Sequence, residues 1–259
     1  MNGLELRRQR DVGRLFGDAL SVYRRYLWLF ILLSAAVVIP ADLIVQGLGL
    51  EMLTSSYDES PSVAETLVPS IVEFLVVAPI VAAICIYALH QIAAGDRPSA
   101  GEVFVAGFEA FTPLFGAVLL AALGIALGFI VLIVPGIYLA IRWYFVPQTV
   151  VIGGARGAGA LSRSGQIVQG YWWRTFGLVL LANIAIVIPG LILVLPFGAI
   201  AESTDRAVWQ LVGSTLATSV TTPFVALFST LLYYDLRARA ESPYAAGGPG
   251  GPEAPPPRP

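Results

Sequence analysis

The chain has 259 residues, of which 57% are hydrophobic and 12% charged, and its formal net charge is -2. Soluble domains carry about a quarter charged residues, so this composition excludes an ordinary water-soluble fold and indicates a membrane protein. The acidic balance predicts no nucleic-acid partner, because phosphate binding requires a basic excess.

The residue types that support hydrolytic or metal chemistry are scarce. Cys85 and His90 are the only residues of their kinds. A single cysteine forms no intramolecular disulfide, and one histidine with one cysteine leaves no usual metal site or catalytic triad. The sequence therefore predicts no catalytic residues, no metal, no cofactor and no enzymatic activity.

The N-terminal part combines a polar segment with an amphipathic helix. Residues 1–10 are polar and basic and are predicted to be disordered. From residue 12 the apolar side chains recur at the spacing of one helical stripe, at Val12, Leu15, Phe16, Ala19, Leu20 and Tyr23. A helix with one apolar stripe and a charged opposite face is predicted to lie in the headgroup plane.

Long apolar runs follow, and they predict about six transmembrane helices, since roughly 20 apolar residues cross the hydrocarbon core. The predicted spans are residues 27–50, 67–93, 114–134, 137–152, 177–200 and 208–234. The fourth is short, and Pro135-Gly136 is predicted to form the turn before it. Interfacial helices are expected within residues 99–111 and 153–176. The predicted fold is an all-α integral membrane domain over residues 11–241, with a disordered Pro/Gly-rich tail at 242–259.

The arginines set the predicted orientation, because every basic residue of the chain is arginine. With six spans, all of them except Arg142 and Arg206 fall on one side of the membrane. The positive-inside bias then places both termini in the cytoplasm, and we expect a bacterial cytoplasmic membrane.

The spans also suggest three parallel helix-pair repeats. Each unit has an aromatic pair four residues apart, a run ending in proline, and a second run containing proline. The pairs are Tyr26/Phe30, Phe111/Phe115 and Trp172/Phe176, and the second prolines are Pro79, Pro147 and Pro223. Glu73 and Arg142 precede two of those prolines at similar separations. An intramembrane ion pair between them is one hypothesis; separate snorkelling of each side chain to the interface is the other.

Two smaller patterns predict helix contacts. Gly124 and Gly128 have the G-x-x-x-G spacing that lets two helices approach closely, and Asn183 is placed to hydrogen-bond between helices. Ser99 with Glu102 forms a capping-box pattern at the start of an interfacial helix.

A basic and aromatic surface is expected at the cytoplasmic side. Its predicted members are Arg163, Trp172, Trp173, Arg174, Tyr234, Asp235, Arg237 and Arg239. Asp235 and Arg239 are spaced for pairing on one helical face. Such a surface predicts contact with anionic membrane lipids and, as a further partner, a membrane protein.

The stretches LIVPGIYLAIRWYFVPQTVVI, ALSRSGQIVQGYWWRTF and YYDLRARAE resemble the membrane-domain family of glycerophosphoryl diester phosphodiesterases. The resemblance covers most of residues 11–241, although Gly153-Gly154 stands where relatives tend to carry a glutamate. In that family the chemistry belongs to a separate soluble barrel, for which this chain has no segment. The resemblance therefore implies a membrane domain without diesterase activity.

Two functions remain open from the sequence. One is a non-enzymatic multi-span protein that scaffolds or supports a membrane process. The alternative is a small transporter or flippase for a lipid or solute. A polar cavity lined by Glu73, Arg142, Asn183, Thr221 and Thr222 would favour the transporter, and a dry, closed bundle would favour the scaffold.

Overall fold

The computed structural model describes residues 5, 6, 8–45 and 63–241, with the side chains of 64–66 excepted. The predicted tail and residues 46–62 lie outside the described residues. All regular secondary structure in the described part is helical, which confirms the all-α prediction. The helices are α1 Val12–Arg25, α2 Leu27–Val45, α3 Val63–Val72, α4 Ala78–Ala94, α5 Ala100–Glu109, α6 Phe111–Val131, α7 Ile133–Arg142, α8 Val146–Val151, α9 Gly157–Val168, α10 Trp172–Thr204 and α11 Val208–Ala240.

Five continuous helical stretches in the described part are long and apolar enough to cross a membrane. They are Leu27–Val45, Leu67–Ala94, Phe111–Val131, Trp172–Thr204 and Val208–Ala240. The last two have 33 residues each. At 1.5 Å per residue each is about 50 Å long, well beyond the roughly 30 Å of a hydrocarbon core. Their ends therefore extend past the hydrocarbon.

The predicted fourth span is not one helix. It folds as α7 and α8, separated by a break at residues 143–145 and too short to cross singly. The Ser164 hydroxyl on α9 bridges the break: it donates to the Arg142 carbonyl (2.9 Å) and accepts from the Phe145 amide (3.2 Å). Backbone groups freed by a helix break must be satisfied within the protein at membrane depth. The serine of the ALSRSG stretch does this.

The third span and α7 form a tight hairpin. The chain reverses at Leu132, which is extended, instead of at the predicted Pro135-Gly136 turn. Pro135 lies in the first turn of α7, where a missing N–H costs little. A β-carbon placed on Gly128 would lie 3.0 Å from the Cα atom of Gly136. The predicted glycine contact is thus used within the chain, between α6 and α7.

The second span carries a π-helical segment, Glu73–Val77, between α3 and α4. It closes with the Ala78 amide donating to the Glu73 carbonyl. Pro79 follows directly, and proline removes a ladder hydrogen bond and crowds the carbonyl one turn earlier. A π segment widens the helix locally and absorbs that clash. This segment sets the position of Glu73.

The amphipathic helix α1 packs on α11 through much of its predicted stripe. Leu15, Ala19 and Tyr23 are buried, together with Val22, whereas Val12 and Leu20 are exposed. The ring of Phe16 lies 4.5 Å from that of Phe228. Asp11 caps the helix by accepting the Arg14 amide at 2.7 Å. The contacts run antiparallel along α11, from Arg10 at Asp235 through Phe16 at Phe228 to Tyr23 at Val220. The helix α1 therefore lies lengthwise against α11, and its predicted placement in the headgroup plane is wrong.

The predicted capping box of Ser99 and Glu102 is not formed, although α5 does begin after Ser99. Ser99 is the N-cap of α5 but makes no capping bond with its side chain. The backbone amide of Ser99 instead donates to the Gln91 side-chain oxygen at 2.9 Å. The side-chain nitrogen of Gln91 donates to the Glu102 carboxylate at 3.1 Å. Gln91, at the end of α4, therefore fixes the start of α5.

Candidate functional site: a cavity and an ionic cluster

A cavity of about 450 Å³ lies between the long helices. Thr221–Ser229 near the middle of α11 form one wall, facing the π segment and the break between α7 and α8. The lining residues are Glu73, Phe74, Ala78, Pro79, Ala82, Val118, Ala121, Ile125, Ala140, Trp143, Tyr144, Val146, Pro147, Gln148, Asn183, Ile186, Thr221, Thr222, Val225, Ala226 and Ser229. The size is typical of a small-molecule site.

Four of the five residues expected to line a polar path do meet here. Glu73, Asn183, Thr221 and Thr222 line the cavity, and Arg142 is not among the lining residues. Asn183 does not bond between helices as predicted: its amide nitrogen donates to the Val179 carbonyl of its own helix at 2.7 Å.

The hypothesised Glu73–Arg142 ion pair is wrong for the described structure. Arg142 donates to the Tyr138 hydroxyl at 2.9 Å, and its guanidinium lies beside Gly165 of α9. No ion pair joins Arg142 to Glu73 among the described residues. Glu73 and Arg142 precede their prolines at similar separations, but their side chains do not point toward each other, because the helix breaks directly after Arg142.

Two polar atoms of the cavity lining lack a hydrogen-bond partner in the described part of the chain. They are the Gln148 side-chain oxygen and the Tyr144 hydroxyl. Gln148 is 2% exposed and uses its amide nitrogen to donate to the Ser229 hydroxyl at 2.9 Å. A buried polar atom left unpaired is costly, and one in a cavity wall is a natural contact for a ligand or water.

A second polar centre lies where the chain enters and leaves the bundle. Asp235 of α11 is fully buried and accepts from three groups: the Arg10 amide at 2.6 Å, Arg174 at 3.0 Å and Arg239 at 3.0 Å. Both arginines also donate to the Arg10 carbonyl, at 2.9 and 2.7 Å. The predicted Asp235–Arg239 pair is confirmed and is part of this larger cluster.

Sequence reasoning missed Arg10 as a member of the cluster. It was placed in the segment predicted to be disordered, yet it is 2% exposed. Its guanidinium pairs with Asp18 at 2.9 Å and donates to the carbonyls of Glu5, Leu6 and Arg8. The ordered domain thus includes Arg10 instead of beginning at residue 11. Arg10 lies before the first residue of α1, so helical periodicity could not reveal this contact.

The remaining predicted interface residues are spread over several environments. Trp172 stacks on Tyr138 (5.9 Å between rings) and Phe176 (5.3 Å), while Trp173 is 77% exposed. Tyr234 is buried against His90. The other two are arginines, of which Arg163 donates to the Gly153 carbonyl and Arg237 pairs with Glu241 at 3.0 Å. The predicted surface is therefore partly a buried structural core.

Among the described residues no group of histidine, cysteine, aspartate and glutamate side chains is arranged to hold a metal ion. The two polar centres are instead a carboxylate facing a mostly apolar cavity and a carboxylate saturated by arginines. The cavity is the candidate site, because the Gln148 side-chain oxygen and the Tyr144 hydroxyl in its wall have no hydrogen-bond partner in the described part of the chain. The second carboxylate ties the chain ends together.

Comparison with known proteins places the site within a family. A family model described as a domain of unknown function, DUF7847, matches residues 65–236, more than half of the chain. The matched region contains Glu73, Gln148, Arg174 and Asp235. Neither the comparison with curated proteins nor that with solved structures finds a match. The chain is thus a multi-span membrane protein that belongs to the DUF7847 family.

Proposed function

We propose that the protein is a small transporter that carries an apolar or amphipathic molecule through its central cavity. The observation that supports this is the meeting of Glu73, Asn183, Thr221 and Thr222 around one cavity in the middle of apolar helices. A carboxylate in such a place is costly and typically marks a substrate or ion path. A dry, closed bundle would have favoured the scaffold.

The helices around the cavity have the discontinuities that a moving substrate path uses. Glu73 begins a π segment, α7 and α8 are separated by a break, and Pro189 and Pro223 interrupt the ladders of α10 and α11. In transporters, broken helices meet at the binding site because irregular backbone is tolerated where it lines a cavity. This arrangement supports movement of the helices around the cavity.

The proposed topology puts both chain ends in the cytoplasm of a bacterium. The Arg10 amide bonds to Asp235, so the start of α1 and the end of α11 share one end of the bundle. A chain that enters and leaves at the same end crosses an even number of times, so α7 and α8 together would supply the sixth crossing beside the five continuous helices. The arginine-rich segments then fall on the cytoplasmic side, as the positive-inside bias requires.

The scaffold, with a membrane-protein partner, is the second candidate. The exposed ring of Trp173 supports it, since exposed aromatics at a bundle end suit either an interface with lipid headgroups or a docked protein. The likeness to diesterase membrane domains supports the same general role, a membrane domain without catalysis. We propose no enzymatic activity.

Proteoliposome flux tests the transporter. Vesicles with the purified protein would be compared with empty vesicles for movement of a fluorescent phospholipid and of small amphipathic dyes of positive, neutral and negative charge. Val225→Trp places a large ring in the cavity wall, and Leu191→Trp makes the same change on an exposed face of α10. We expect protein-dependent flux of at least one probe that Val225→Trp lowers several-fold and Leu191→Trp leaves unchanged. Absence of flux for every probe would overturn the transporter in favour of the scaffold.

A further inference from the structure

We propose that the cavity binds a hydrophobic organic cation. This inference rests on the proposed function only for the role of the cavity in transport; the preference for a cation follows from the lining residues. Glu73 is the sole acidic or basic side chain among the lining residues that the structure describes. Asp42 of α2 lies close enough to Glu73 to interact with it electrostatically. When ionised, these carboxylates make the potential in the cavity negative, and no arginine in the described wall offsets it.

The energetics of a partly buried carboxylate between apolar helices favour a positively charged occupant. An unpaired charge in a low-dielectric interior is strongly unfavourable, and a cation at hydrogen-bond distance removes much of that cost. The same field excludes phosphate and carboxylate ligands, which would be repelled by Glu73 and would find no cationic partner. A lipid bound here by its anionic phosphate is thereby disfavoured.

The rest of the wall suits an organic cation. The Gln148 oxygen, buried and without a partner, accepts a hydrogen bond from a donor such as an ammonium. Three aromatic rings, those of Phe74, Trp143 and Tyr144, also line the space. Aromatic faces attract cations, and the remaining aliphatic side chains match an apolar body.

Access for such a ligand is from the side of the bundle. Phe74 is 51% exposed, and Asn183 on α10 is also exposed, so the cavity reaches the surface at these residues in the described part of the chain. Their neighbours on that surface are apolar, as on a lipid-facing side. Hydrophobic cations partition into bilayers, so lateral entry fits the chemistry of the site.

Equilibrium binding of radiolabelled tetraphenylphosphonium to the purified protein in detergent tests the proposal. Tetraphenylborate is the matched control ligand, because it has nearly the same shape and the opposite charge. We expect saturable binding of the cation that the anion does not displace. We also expect Glu73→Gln to weaken cation binding by about tenfold, the loss of one charge-assisted contact. Glu109→Gln, an exposed site outside the cavity, should bind as wild type.

Each result decides the proposal separately from the transport question. Tetraphenylborate binding as tightly as the cation, or Glu73→Gln binding like wild type, would overturn it. The ligand comparison needs only the wild-type protein, so it decides the matter even if Glu73→Gln does not fold. Cation binding without flux would overturn the transporter and leave the cation site standing; flux without charge preference would overturn the cation site alone.

Discussion

Gln91 on α4 and Asp235 on α11 have the same structural role. The side chain of each accepts a hydrogen bond from a backbone amide at or just before the start of an amphipathic helix. Gln91 accepts the Ser99 amide at the start of α5, and Asp235 accepts the Arg10 amide just before α1. Gln91 also follows Pro79 at the same separation as Asp235 follows Pro223. This correspondence supports the predicted repeat for the first and third units.

The middle unit departs from the pattern for a visible reason. The residue at the same separation from Pro147 is Gly159, which already belongs to α9, because α8 ends at Val151. Here the amphipathic helix is held at the α7–α8 break instead, by Ser164 and by the Thr149 hydroxyl, which donates to the Ala160 carbonyl at 3.2 Å. The shorter return accompanies the division of this stretch into the two helices α7 and α8.

The two side chains at corresponding positions differ in charge, and this predicts unequal costs of mutation. Asp235→Asn keeps the shape but leaves the Arg174 and Arg239 guanidinium groups without their buried counter-charge. Breaking a buried ion pair from one side costs about 3–5 kcal/mol. Gln91→Leu breaks no buried ion pair: it removes the part-buried hydrogen bond from the Ser99 amide and the exposed one to Glu102, and should cost about 1 kcal/mol.

Thermal unfolding in detergent measures both changes, with Glu241→Gln as the control that also removes one acidic group. Glu241 is 53% exposed and its partner Arg237 is 31% exposed, so the loss of this pair should cost under about 1 kcal/mol. Equal shifts for Asp235→Asn and Gln91→Leu would show that the ionic cluster adds nothing over its hydrogen bonds.

The sequence predicted the features that depend on composition and on helical periodicity. Apolar runs of bilayer length and the stripe on α1 located the helices, and helical spacing located the Asp235–Arg239 pair. It did not predict the contacts that depend on where a side chain points in three dimensions. The break after Arg142 turns that side chain away from Glu73, and the Arg10 contacts use backbone atoms that no residue pattern records.

The α6–α7 hairpin predicts opposite effects for two alanine substitutions in one helix. In Gly128→Ala the new β-carbon meets the backbone of Gly136 at 3.0 Å, and backbone cannot rotate away as a side chain can. Overpacking of this kind costs about 1–3 kcal/mol. In Gly116→Ala the β-carbon meets nothing within 4 Å. Alanine lowers the backbone entropy of the unfolded chain, so this change should stabilise the helix by about 0.5–1 kcal/mol. Unfolding temperatures in detergent compare the two; a fall for Gly116→Ala as large as that for Gly128→Ala would contradict the hairpin packing.

Tyr23 on α1 predicts a pH dependence of stability. Its hydroxyl donates to the Val220 carbonyl of α11 at 2.7 Å, and burial, with a smaller contribution from Cys85, raises its pKa to about 12. The unfolded chain loses this proton near pH 10 while the folded chain keeps it, so stability falls as pH rises between those two values. Tyr23→Phe should cost about 1 kcal/mol at neutral pH through the lost hydrogen bond. It should then lose less stability than wild type between about pH 9 and about pH 11; identical slopes would contradict the role of this hydroxyl.

The six-crossing topology predicts which residues can be labelled from outside an intact cell. Ser203, in the last turn of α10, and Glu241, just after α11, are both exposed and lie at opposite ends of the α10–α11 pair. In a Cys85→Ala background, which removes the one native thiol, Ser203→Cys should react with a membrane-impermeant maleimide on whole cells. Glu241→Cys should react only after permeabilisation, because positive-inside orientation keeps the arginine-rich end in the cytoplasm. The same end carries Arg10, held against Asp235, so an added cysteine at Asp11 should follow Glu241→Cys. Labelling of Asp11→Cys and Glu241→Cys on opposite sides would mean that α7 and α8 do not complete a crossing.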